Sequence, residues 1–240
     1  MDKPKITTIV VIICIIILGL YAAGEVNYYS SKIAIEKNID SPVVNMPTIG
    51  IEEKINNVSL SQGVMHDAKS FTPTNGDVIL SGHRTLQGSP FLRLNELNNG
   101  DVITLEWPGI GEVNYTVINK TIVEPTAHIN TQSNGTHIYL ITCDPIGSTA
   151  HRLIIEGELS DVGPINDKII QNNPHESYAL IITTAFLVIG LIFSYFYPKD
   201  NRIYILAIVL IISAILFYFY LFPIDSNIIY EKILWLNGGM

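Results

Sequence analysis

Three apolar runs constrain this chain more than anything else in it. They cover 6–23, 178–197 and 203–222. Each is about 18 to 20 residues long, close to what a helix needs to span ~30 Å of hydrocarbon. The mean hydropathy of +0.33 agrees. One N-terminal and two C-terminal transmembrane helices are therefore expected, with everything between them held at a membrane.

Positive charge sets the expected orientation. Lys3 and Lys5 precede the first run. The loop 198–202, Pro198-Lys199-Asp200-Asn201-Arg202, carries two of the five cationic residues found outside 24–177. Both signals place their segments in the cytoplasm. The block 24–177 and the tail 223–240 then lie outside the plasma membrane. The rival for the first run is a cleaved signal peptide, since Ala22-Ala23-Gly24 resembles a processing site.

The outer block is acidic: 9 Lys+Arg against 18 Asp+Glu leave it at −9. It has no basic stripe, which argues against nucleic acid as a partner. It holds a single cysteine, so no disulfide can form within it. Four Asn-x-Ser/Thr sequons, at Asn57, Asn114, Asn119 and Asn134, fit an exported domain.

The texture along this block suggests a stalk over 24–46, a folded domain over 47–160 and a second linker over 161–177. Short apolar segments separated by Gly, Asn, Asp and Pro read as strands at 58–60, 77–81, 101–106, 113–124, 137–143 and 153–159. Phe91, Leu94 and Leu97 recur at helical spacing and suggest one short helix. The fold class is mostly β, a closed barrel or a sandwich.

Cys143 ends an apolar strand and precedes Asp144-Pro145. Proline cannot donate to a ladder and restricts the residue before it, so the strand should stop there. That puts the thiol at a rim. A lone cysteine is more often a packing residue, and nucleophilic chemistry asks for more. A free thiol is only a few per cent ionised at neutral pH, so it needs a base or cation and a group to hold an oxyanion. His83 ends another apolar strand in Ile79-Leu80-Ser81-Gly82-His83-Arg84. Arg152 opens the strand after Cys143. If those two strands pair antiparallel, it lies almost opposite the thiol.

Thr142-Cys143, Arg152 nine residues on, and Gly82-His83 about 60 residues upstream together resemble the sortases. These are membrane-anchored cysteine transpeptidases of cell surfaces. The family's Thr-Leu-x-Thr-Cys signature stands here as Tyr139-Leu140-Ile141-Thr142-Cys143, and the likeness covers about 47–159. It implies a closed sortase-like β-barrel with short helices. It also implies that Cys143 attacks the carbonyl of a Leu-Pro-x-Thr-Gly-like sorting signal. His83 would protonate the leaving amine and later deprotonate the incoming one. Arg152 would hold the oxyanion, and Thr142 would play a secondary part beside the nucleophile.

The implied partners are proteins bearing a C-terminal sorting signal, an amine of the cell envelope or of a pilin, and membrane lipid. Two other readings stand beside this one: a membrane-anchored cysteine peptidase on the same scaffold, and a non-catalytic surface scaffold. The flanks of Cys143 and Arg152 resemble the pilin-polymerising branch. Its lid motif, however, is reduced here to Asp40-Ser41-Pro42 without the aromatic.

No cofactor is expected. His66, His128, His137 and His175 show no metal-ligand spacing. Some sortases bind calcium through loop carboxylates, and Glu106, Glu112 and Glu124 are the conceivable ligands. His151 should face away from Arg152's side, into solvent. Cys14 should pack within the first span.

Overall fold

The computed structural model describes residues 6–36, 41–85, 87–172, 174–224 and 228–229. The chain divides into two compact units. One joins the residues up to Ala34 with His175–Ile233, and the other is Ile35–Pro174.

The first unit contains three helices long and apolar enough to cross a membrane: α1 (Ile6–Glu36), α3 (Tyr178–Phe196) and α4 (Arg202–Leu221). α1 runs unbroken through Ala22-Ala23-Gly24 and on to Glu36, so much of the segment expected as a stalk is helix. Small residues and polar pairs join these helices, as is usual where lipid offers no hydrophobic drive. A Cβ on Gly19 would lie 2.7 Å from the Ile212 side chain. The buried Asn27 amide donates to the Ile224 carbonyl at 3.0 Å and accepts its N–H at 2.8 Å. Cys14 is exposed on α1 rather than packed inside.

The second unit is a closed barrel of eight strands: β1 (Val43–Met46), β2 (Ile51–Asn56), β3 (Val64–His66), β4 (Val78–Ser81), β5 (Val102–Trp107), β6 (Gly111–Val123), β7 (His137–Asp144) and β8 (His151–Gly163). Their order round the barrel is β1-β2-β3-β4-β7-β8-β6-β5. Pairing is antiparallel except for β2 with β3 and β4 with β7. Closure leaves no edge strand open to another chain. Alternation decides what fills the inside. Val78, Leu80, Ile138, Leu140, Leu153 and Ile155 are all buried in one core, while Tyr139, Ile141 and Cys143 face outward between them.

Several expectations are corrected by this arrangement. The 58–60 segment is not a strand. The Asn56 side-chain oxygen Oδ1 accepts the N–H groups of Val58 and Ser59 at 2.9 Å, which turns the chain and leaves Val58 exposed. The strands β1, β2 and β3 take their place, so the barrel begins before residue 47. The expected helix at 91–97 is a set of turns around a short 3-10 segment, Leu94–Glu96. The apolar spacing was still a guide to burial, since Phe91, Leu94 and Leu97 are all inside. The N–H groups of the segment bond three residues back, Leu94 to Phe91 O, Glu96 to Arg93 O and Leu97 to Leu94 O, which is the 3-10 and not the α pattern. Arg84 Nε donates to Leu92 O, and Lys120 Nζ donates to Asn95 O and Leu97 O.

The second linker is shorter than expected as well. β8 continues to Gly163, and a short helix, α2 (Asp167–Gln171), lies against the barrel. Glu106 Oε2 accepts the Asn166 N–H at 2.8 Å, and the Asn172 amide donates to Glu52 at 2.7 Å.

Asp77 holds the start of β7 in place. Its buried carboxylate accepts the N–H of Gln132 at 2.9 Å and of His137 at 3.0 Å. Gly135 is required for this approach, because a Cβ there would collide with Asp77 Oδ1. Replacing Asp77 by Ala strands two N–H groups, which costs about 2–3 kcal/mol. The Asp77→Ala chain in detergent should therefore unfold several degrees earlier, as followed by tryptophan fluorescence.

Candidate active site

The site stands on the ends of three neighbouring strands. β7 and β8 pair antiparallel with Cys143 directly opposite Arg152. β4 and β7 pair in parallel with a constant offset, Val78 to Ile138 through Ser81 to Ile141. Two bonds carry that register past the end of β4. The Gly82 N–H donates to Ile141 O at 3.1 Å, and the buried Thr142 hydroxyl donates to Gly82 O at 2.8 Å. One residue past His83, Arg84 Nη1 donates to Cys143 O at 3.3 Å, so the chain that carries His83 stays alongside β7 at Cys143. Residues of one parity on these strands face outward, so Cys143 and Arg152 share the outer face of the barrel. Gly82 allows the close fit beneath, because a Cβ there would lie 2.8 Å from the Phe91 ring.

Burial shapes the base. It lowers the His83 pKa from the ordinary 6.5 to about 4, so the imidazole is neutral at physiological pH. A neutral ring can accept a proton from a neighbouring thiol and later return it. The His83 carbonyl accepts the Phe91 N–H at 3.0 Å, which closes the loop after the base. Arg152 is held at the mouth of the 145–150 turn by bonds from Nη1 to Thr149 O and His151 O, both 3.0 Å.

Arg152, alone of these three residues, lines a cavity of about 230 Å³. Ile79, Ile141, Ile154 and Val123 supply its apolar wall, and Arg152 closes one end. The 127–131 stretch of the loop between β6 and β7 forms another wall.

Sequence reasoning missed two residues here. Arg84 and Asp144 immediately follow His83 and Cys143, and they form a largely buried ion pair at 2.6 Å. The signal was present in the quoted runs, as two opposite charges each one step past a candidate catalytic residue. It has no meaning until the two strands are known to be neighbours.

Other candidates are not brought to the site. His151 is half-buried and lies 3.6 Å from Glu124. Glu106 and Glu112 are direct cross-strand partners, whereas Glu124 lies past the opposite end of β6. Burial pushes the Glu106 carboxyl up. The Asn166 N–H pulls it down, and Glu112 adds to the push. Among the described residues no three His, Cys, Asp or Glu side chains converge as a metal cluster. Tyr139, which replaces the signature threonine, donates to Glu156 at 3.3 Å, and burial and that carboxylate lift its pKa to about 12. Of the reduced lid motif, Asp40 lies outside the described residues. Ser41 and Pro42 line a separate cavity with His66 and Trp107. β5 and β6 pair Trp107 with Gly111, so that cavity is at the other end of the strands from Cys143.

The closed barrel with a thiol, an imidazole and a guanidinium on adjacent strand ends has the equipment of a cysteine-dependent acyl-transfer enzyme. The Sortase domain family model matches residues 33–160, and the chain belongs to the sortase family. Family membership implies cysteine transpeptidase activity.

Among solved structures the chain is similar to a lid mutant of sortase A from Corynebacterium diphtheriae, at 26% identity over 52% of this chain and 73% of that one, with a TM-score of 0.47. It is also similar to sortase C-1 from Actinomyces oris, at 26% identity over 52% and 76%, TM-score 0.47. A third is Clostridium perfringens sortase C with its C-terminal cell wall sorting motif, at 25% identity over 50% and 70%, TM-score 0.44. No curated protein matches the chain.

The low His83 pKa has a consequence for stability. Below 6.5 the unfolded chain takes up a proton at His83 that the folded chain refuses until about pH 4. This contribution is complete above pH 6.5 and is lost as pH falls toward 4. The gap between unfolding midpoints at pH 7 and pH 5 should therefore narrow in His83→Gln.

Proposed function

We propose that this chain is a sortase whose catalytic set is Cys143, His83 and Arg152, and that it transfers proteins bearing a Leu-Pro-x-Thr-Gly-like sorting signal to an amine of the cell envelope or of a pilin. The reading is supported by the register that sets Cys143 opposite Arg152, and by the bonds that tie Gly82, the residue before His83, to Ile141 and Thr142 on the same strand.

The chemistry follows from the residues present. The Cys143 thiol gives its proton to the neutral His83 ring as sulfur attacks the signal's carbonyl. Negative charge gathers on that oxygen, and Arg152 stabilises it. The protonated imidazole then gives its proton to the departing amine, leaving a thioester on Cys143. An incoming amine loses a proton to His83 and attacks the thioester, which restores the thiol and completes the transfer. The apolar wall of Ile79, Ile141 and Ile154 suits the leucine and proline of such a signal. Thr142 contributes from behind by tying β7 to Gly82. The three apolar helices would hold the barrel at the plasma membrane, with its site outside and the N-terminus in the cytoplasm.

The full chain in detergent, given fluorogenic Leu-Pro-x-Thr-Gly-like peptides with and without added amines, should cleave them and form a ligated product visible by mass spectrometry. Cys143→Ala should fall to background. Arg152→Ala should lose about 10²–10³ in kcat, the usual cost of removing one oxyanion donor. Cleavage that persists in Cys143→Ala would overturn the mechanism. Cleavage without any ligated product would assign a hydrolase instead.

A further inference from the structure

Arg84 is 5% exposed, and every arm of its guanidinium is engaged. Nη1 donates to Asp144 Oδ1 at 2.6 Å and to the Cys143 carbonyl at 3.3 Å. Nη2 donates to Asn95 Oδ1 at 2.6 Å, and Nε to Leu92 O at 3.3 Å. One planar fork thus binds the strand end that carries the thiol and also the turn region below the loop after His83. A lysine, with its single ammonium, cannot make this set of bonds.

Stability alone is a poor reason for such a group. A buried ion pair seldom outperforms apolar packing of the same volume, because desolvation consumes much of the attraction. Further back along the same two strands, beyond Gly82 and Thr142, the inward positions 80 and 140 are filled by leucine. The location of the pair points to another use. One residue before His83 and Cys143, the Thr142 hydroxyl ties β7 to Gly82. One residue after them, Arg84 ties the two chains again through Asp144 and the Cys143 carbonyl. The base and the nucleophile lie between these two ties. Without the second tie, the chain after His83 leads into the 84–90 loop and the chain after Cys143 into the 145–150 turn. Neither holds the two reacting side chains at a fixed separation.

We propose that Arg84 is a positioning residue, which sets the spacing of His83 and Cys143 by binding the Asp144 carboxylate and the Cys143 carbonyl. The proposal rests on the functional reading above. Arg84 touches neither substrate nor reacting atom. It acts by confining a proton transfer to one geometry, and misplacement of such groups by about 1 Å can cost about 10²-fold in rate.

The test uses the full chain in detergent and the peptide assay with amine. Arg84→Gln should lower kcat about 10- to 100-fold and leave KM within about threefold, because the loss falls on the reacting geometry and not on peptide binding. Arg84→Lys, which keeps the charge and one bond to Asp144, should recover part of the loss. A second readout needs no substrate: the rate at which iodoacetamide alkylates Cys143. In the parent chain His83→Gln should slow alkylation; in the Arg84→Gln background it should add nothing, since the two groups are no longer coupled.

An unchanged kcat in folded Arg84→Gln, or a His83→Gln effect on alkylation equal to that in the parent, would overturn the proposal. Should Arg84→Gln fail to fold, Arg84→Lys and Asp144→Asn carry the same test, and normal kcat in both would overturn it. A parent chain that cleaves no peptide would instead count against the functional reading, and the alkylation comparison would still judge the spacing.

Discussion

The parallel pairing of β4 with β7 is the contact on which the site depends. It closes the barrel between the half that begins with β1 and the half that ends with β8. It also brings together two chain ends about 60 residues apart and gives each an outward-facing functional group. Parallel ladders need a long crossover, and here the crossover contains the β5–β6 hairpin and the loop 124–136. Asp77 binds the N–H of Gln132 and of His137, so the strand and the returning loop are joined at the very start of β7. The Thr142–Gly82 bond joins them again at its end.

Among the described residues of this unit Glu53, Asp77, Arg84 and Glu106 are the buried charged groups, and for three of them the partners are clear. Asp77 has backbone N–H donors, Glu106 has the Asn166 N–H, and Arg84 has Asp144 with three further acceptors. A buried ionised group without such partners would cost several kcal/mol, which explains why these bonds are short and local to the turns they fix. The interior proper is aliphatic and aromatic, so the polar ties lie at the ends of strands. The functional face grows from those ends, and the rigidity of the barrel reaches the thiol and the imidazole through them.

The catalytic candidates were legible because their surroundings are short-range. Gly82-His83 and Thr142-Cys143 each end an apolar alternation, and Arg152 begins one. The strands 113–124 and 137–143 were legible for the same reason. β1 and β2 were not. Val43–Met46 lies within what read as a polar stalk, and Ile51–Asn56 carries Glu52 and Lys54 on its outer face and a buried Glu53 between Ile51 and Ile55 on the inner one. Their strand character depends on pairing with each other and, for β1, with β5. The 91–97 segment failed in the opposite sense. Its helical spacing was real, but its backbone bonds reach only three residues back, and Arg84 and Lys120 bind carbonyls at 92, 95 and 97.

The sequence by itself determined three membrane-length helices, a β-rich domain between them, and a thiol, an imidazole and a guanidinium each at a strand boundary. All of these follow from local periodicity, run length and the stopping power of proline, which act within a few residues. Only the tertiary structure decided that β4 lies beside β7 rather than beside β5. That choice runs the chain that carries His83 alongside Cys143, joins Arg84 to Asp144 and sets Ile79 with Ile141 and Ile154 along one cavity. The physical reason is that pairing energy between strands is paid in non-local contacts. Its register is set by which alternations can share one core, and no short window of sequence contains that information.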